Sequence, residues 1–187
     1  MHGRTEAERT LDRGVLRGPT DEEAPELERL GWDPTYARRI AEERAHQERD
    51  QAQRLDTDPH WRRSRLRDTV AARYLINDAE DALNDVLNEH KVRLANIATT
   101  PELARRFTDS MPGGDVWISL VTAAHRNAQT KWTSNDIFDF DALTVAVPYC
   151  DAVVTERHAR HLLSAAGLPK RLGAEVFATL DELVAWL

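Results

Sequence analysis

The sequence predicts an α/β protein that is mostly helical in its N-terminal half, with a parallel sheet and flanking helices in its C-terminal part. Two observations carry this. Over about the last 55 residues the patterns alternate as helix, strand, helix, strand, helix, the order of parallel βαβ topology. Before that, apolar residues recur at helical spacing and no apolar β run occurs. A chain of 187 residues with 41% hydrophobic content has enough apolar material for one core, unevenly spread along its length.

Residues 1–33 are rich in charge, Gly and Pro and read as a poorly ordered or extended N-terminal segment. The domain follows over 34–187, helical in 34–110 and α/β in 111–187. From Pro34 to about Leu55 helix propensity is high, but the apolar stripe is thin (Tyr36, Ile40, Ala41). The Asp-Thr-Asp-Pro stretch at 56–59 ends that helix. A second helix covers Trp61 to Asn77, with Leu66, Val70, Tyr74 and Leu75 on one face. Asp78 then caps a third that turns Leu83, Val86 and Leu87 inward. Thr100-Pro101-Glu102 combines a hydroxyl cap, Pro at the first helical position and an acid after it.

Gly113-Gly114 reads as a turn, after which Asp115 caps a helix with Val116, Leu120, Val121 and Ala124 on its apolar face. Ser134 or Asn135 caps the next helix, which stops at Pro148. Ala152 to Thr155 is a short strand, and Glu156 to about Ala166 is a helix closed by Gly167. Val176 to Ala178 is a second strand. Thr179, with Glu182 three residues on, forms a capping box for the last helix.

The formal net charge of −7 excludes general nucleic-acid binding by bulk attraction, though not an enzyme acting on RNA through bound cations and a local Arg patch. Cys150, the only cysteine, rules out an internal disulfide and a Cys-rich zinc site and reads as a small buried hydrophobe. No run of about 18 apolar residues is present to span a membrane, and the charged N-terminus lacks a signal peptide's apolar core. A soluble, cytoplasmic protein is expected.

The stretch SNDIFDFDALTVAVPYCDAVVTE, residues 134–156, carries the chemistry. Asp136 and Asp139 stand three apart at a helix start and so project from one face. In a βαβ unit the helix N-terminus lies at the edge of the sheet where the strands end, and Glu156 follows a strand directly. Three carboxylates meeting there would repel unless a cation stood between them. Hard oxygen ligands select Mg²⁺ or Mn²⁺, which activates water for phosphodiester hydrolysis. The plainer reading also stands: an acid in the first helical turn is favoured by the helix dipole or as a cap. Asp141 faces away, as a surface residue.

These residues resemble the C-terminal half of a PIN domain. The resemblance lies in Asn135-Asp136-x-x-Asp139, then Ala142-Leu143-Thr144-Val145-Ala146 and Val153-Val154-Thr155-Glu156, with Val-Pro-Tyr-Cys-Asp similar to a bacterial subgroup. It is specific over residues 111–187 and extends without specific motifs over 34–110. It implies an α/β nuclease fold, common among the toxins of bacterial toxin–antitoxin pairs. Asp139 and Asp136 would then be catalytic and metal-binding helix acids, Glu156 the strand-end ligand, and Thr155 the residue supporting a metal-bound water. The chain departs from the family in two places: the usual Thr-x-Asp would put the last acid at 157, where Arg157 stands, and residues 1–60 contain no apolar strand ending in the first catalytic Asp. It looks like a PIN-like protein without its front end.

Arg157 and Arg160, on the helix after Glu156, are placed to hold a phosphate backbone. Arg126 and Lys131 are further phosphate candidates; with His125 they equally suit a helix C-terminus. His158 and His161 form a pair without a third nitrogen ligand. The expected function is a Mg²⁺- or Mn²⁺-dependent ribonuclease with RNA as substrate and an antitoxin or a second copy as partner. The alternative is a non-catalytic PIN-like module for protein interaction or dimerisation, which the thin-striped helix at 34–55 would suit.

Overall fold

The computed structural model describes residues 18–187; residues 1–17, part of the segment expected to be poorly ordered, lie outside the described residues. Twelve α-helices and two strands follow one another among the described residues. They begin with α1 (Ala24–Arg29), α2 (Tyr36–Thr57), α3 (Pro59–Ser64) and α4 (Leu66–Arg73), which continues into a π-helical turn (Tyr74–Asp78). Next come α5 (Glu80–Glu89), α6 (Leu94–Ile97), α7 (Pro101–Asp109), α8 (Pro112–Arg126) and α9 (Ser134–Tyr149). The chain closes with β1 (Ala152–Val154), α10 (Arg157–Ala165), α11 (Leu168–Leu172), β2 (Glu175–Phe177) and α12 (Leu180–Trp186).

The described residues divide into two units, one ending at Ile40 and the other Ala41–Leu187. In the first, Thr20 donates from its backbone N–H and its hydroxyl to the Glu23 carboxylate, tying the chain just before α1. The second unit holds the core and every site residue expected from the sequence.

The expected PIN-like parallel sheet with flanking helices is not what forms. Among the described residues the chain is mostly helical, and the sheet is two parallel three-residue strands pairing Ala152 with Glu175, Val153 with Val176 and Val154 with Phe177. The apolar material of the C-terminal half explains the difference. In α8 and α9 it recurs at helical spacing, so the two helices pack against each other and take the centre of the core. Ile118, Leu120, Val121, Ile137 and Val147 are all but sealed from solvent. Only Ala152–Val154 and Glu175–Phe177 carry a β pattern, and the turn at Gly173, with φ +76°, ends the connection into the second of them.

Local starts and stops follow from recognisable side chains. Asp58 accepts from the N–H groups of His60 and Trp61 and starts α3 with Pro59 in its first turn. Thr100 does the same for α7 through the Leu103 N–H, and Thr179 for α12 through that of Glu182. α8 begins at Pro112, three residues before the expected cap, so Gly113 and Gly114 are helical. Small residues are needed there: a Cβ on Gly114 would come within 2.9 Å of the Tyr74 ring, and one on Gly113 within 3.1 Å of the Thr144 carbonyl. Pro148 lies inside the last turn of α9 and does not stop it. Trp132 and Phe140 meet edge to face at 5.9 Å, and Trp117 packs on Phe140 at 6.1 Å, all three buried in the core. Cys150, expected to be buried, is exposed, because it leaves α9 as extended chain.

Candidate phosphate-binding cleft

The acids expected to share a metal sit in separate local roles. Asp136 turns back on the start of α9, where its Oδ2 accepts from the Thr133 backbone N–H at 2.8 Å and the Thr133 hydroxyl at 2.7 Å. The Asp136 N–H reaches the Thr133 Oγ1 in return, which completes a capping box. Asp139 is exposed one turn further along. Glu156 is exposed at the N-cap position of α10 and makes no capping bond. Thr155 is half-buried, and its backbone N–H continues the sheet by donating to the Phe177 carbonyl at 3.0 Å. Among the described residues no group of three or more His, Cys, Asp or Glu side chains is arranged to hold a metal ion. Asp141 is bound by Arg44, whose Nη1 lies 2.7 Å from Oδ2, with the guanidinium stacked over Trp117.

A different cluster does converge. Between α8 and α10 opens a cleft of about 670 Å³, floored by Ala123, Ala124, Leu162, Ala165 and Ala166. Its polar lining is Arg67, Arg126 and Arg171, with His158 and His161 from one face of α10. Ser119, Thr122, Asn127 and Thr130 complete it, and among the described residues no carboxylate and no Phe, Tyr or Trp ring lines it. His158 and His161 are three apart on α10, and Leu162 and Ala165 continue the same face toward α8.

Two of the three arginines are fixed from beneath. Asp115, buried in the first turn of α8, accepts from Arg67 Nη2 at 2.8 Å on Oδ1 and from Arg171 Nη2 at 2.5 Å on Oδ2. The Ser119 hydroxyl donates to the same Oδ1 at 3.3 Å and itself accepts from Arg67 Nη1 at 2.9 Å. Asp109 takes a further bond from Arg67, at 2.6 Å. Burial works against the Arg67 charge, but the hydrogen bonds to Asp109 and Asp115 outweigh it and hold the guanidinium above its ordinary range. Arg126 is exposed at the end of α8 and has no ion-pair partner among the described residues. Thr122 is buried in the wall, and its hydroxyl has no hydrogen-bond partner among the described residues.

Behind the cleft, the C-terminal end of α8 is anchored by a second buried carboxylate. Glu48 of α2 takes both guanidinium nitrogens of Arg73, at 2.7 and 3.1 Å, and lies 2.7 Å from His125 Nε2. Burial alone would push the Glu48 carboxyl up; the hydrogen bonds from His125 and Arg73 outweigh that and hold it below the usual carboxylate range. Trp132 lies against the His125 ring at 4.8 Å. Arg62 donates to the His125 carbonyl and Arg49 to that of Trp132, each at 2.9 Å, satisfying backbone acceptors at and just beyond the helix end.

Of the phosphate candidates read from the sequence, Arg126 lines the cleft. Arg160 is turned away toward Glu182, its Nη1 donating to Oε2 at 2.9 Å and to Oε1 at 3.1 Å. Arg157 and Lys131 are exposed and do not line the cleft. Arg67 and Arg171 escaped sequence reasoning, since 104 positions separate them and only the fold brings both to Asp115. The signal that was legible is the His158, His161, Leu162, Ala165 face, whose spacing places two imidazoles beside a small-residue floor. Among the described residues no helix is long and apolar enough to cross a membrane. Comparison with protein-family models, with curated proteins and with solved structures finds no match for this chain.

Proposed function

We propose that this chain binds RNA, gripping backbone phosphate in the cleft between α8 and α10. The carrying observation is the lining: three guanidiniums and two imidazoles with no carboxylate among them, in a chain of net charge −7. The carboxylates that pair with Arg67 and Arg171, Asp109 and Asp115, stand outside that lining, so the cleft turns donors and no acid toward an anion. Guanidinium forks match phosphate oxygens in geometry as well as charge.

A Mg²⁺- or Mn²⁺-dependent ribonuclease is the second reading, favoured by Asp136 and Asp139 standing three apart in the first turns of α9. In that reading they would hold the metal with Glu156, and Thr155 would support the attacking water. Metal entry would require the Asp136 carboxylate to leave its capping bonds to Thr133.

A salt titration tests the binding reading. The affinity for a short labelled single-stranded RNA should fall with rising salt, with a log–log slope of about −2 for three phosphate-bound cations. Arg126→Ala should weaken binding and flatten the slope by about 0.7. Absence of RNA binding at low salt, or an Arg126→Ala chain that binds as the parent does, would overturn the proposal. The same RNA incubated with Mn²⁺ tests the second reading, which requires cleavage by the parent chain and its loss in Asp139→Asn.

A further inference from the structure

We infer that the cleft takes a terminal phosphate, a phosphomonoester at the end of an RNA strand, in preference to an internal phosphodiester. The inference rests on the RNA-binding reading above and narrows it. The first observation is where the charge sits. Arg67 and Arg171 bond opposite oxygens of the single Asp115 carboxylate, at 2.8 and 2.5 Å, which gathers their two guanidiniums at one point of the wall. Arg126 adds a guanidinium with no ion-pair partner among the described residues, and His158 and His161 add ring nitrogens from the opposite helix. Two guanidiniums gathered at one point, with the other donors lining the same cleft, suit one concentrated anion, whereas a threaded strand is met by cations spaced along a groove.

The second observation is what the lining lacks. No Phe, Tyr or Trp ring lines the cleft, so the bases of a strand passing through would find no large stacking platform. The volume, about 670 Å³, is that of a site for a small ligand or a strand end. Its floor of Ala and Leu side chains accepts a sugar or base edge without hydrogen-bond readout. An internal diester offers a single negative charge; a terminal monoester carries roughly −1.5 to −2 and three acceptor oxygens near neutral pH. The monoester therefore uses more of the donors assembled here.

The test compares one RNA sequence, internally labelled, with a 5′-phosphate, with a 3′-phosphate, or with hydroxyls at both ends, each bound to the full chain. One phosphorylated form should bind about tenfold more tightly than the hydroxyl form, the scale of one charge-assisted hydrogen bond. Which form does so identifies the end recognised. Arg126→Ala should erase that difference, and Arg63→Ala, an exposed cation outside the cleft, should leave it intact. Equal binding of all three RNAs would overturn the terminal-phosphate inference while leaving RNA binding in place. Binding of none would overturn both. A phosphate preference that survives Arg126→Ala would place recognition elsewhere and sink the inference.

Discussion

Glu48 is buried, ionised and doubly paired, and this makes the fold sensitive to acid at one identifiable residue. Its folded-state pKa lies below the unfolded value, so its contribution is complete above the unfolded carboxylate pKa of about 4.3 and is lost as pH falls through the lower folded value. Urea midpoints measured from about pH 6 to pH 3 should therefore fall on the acid side, and Glu48→Gln should flatten that fall. At neutral pH the same substitution should cost about 3 kcal/mol, because Arg73 and His125 lose the carboxylate that compensates their burial. An unchanged midpoint in Glu48→Gln would show that the cluster contributes nothing. None of this was legible in the sequence: Glu48 sits among charged neighbours on a helix read as mostly solvated, and its partner His125 is 77 positions away. Arg126 was legible because a cation is favoured in the last turn of a helix.

At the scale of the element, α9 decides how the acids are used. Its start is fixed by Thr133, one residue before the earlier of the two expected caps, and Asp136 answers as the third helical residue of the capping box. Thr133→Ala should destabilise the chain by about 1 kcal/mol, read as a lower urea midpoint. Asp136→Ala should cost a similar amount with no metal present, because the carboxylate holds the Thr133 N–H. An Asp136→Ala chain as stable as the parent without metal would deny the cap and return Asp136 to the pool of free ligands. Spacing alone revealed that Asp136 and Asp139 share a helix start; it could not say that the first of them would be occupied by its own cap. The helix ends at Thr100, Gly167 and Thr179 were readable for the opposite reason, since their bonds are local.

For the whole molecule, the alternation of helix and strand in the C-terminal part was legible, and so was the parallel pairing of its two strands. The α/β class was not sustained, because two three-residue strands do not make a sheet on which helices can form layers. The core is instead built where α8 and α9 face each other. The cleft follows from that architecture. The fold brings α10 beside α8, and Asp115 at the start of α8 draws in Arg67 from α4 and Arg171 from α11. The central claim is that this cleft, and not the start of α9, is where the chain meets RNA. The most direct test is an amide chemical-shift map of the isotope-labelled chain titrated with short RNA. The account predicts shifts at Thr122, Asn127, Thr130, His158 and His161; shifts confined to Ser134–Asp141, with those amides unmoved, would contradict it.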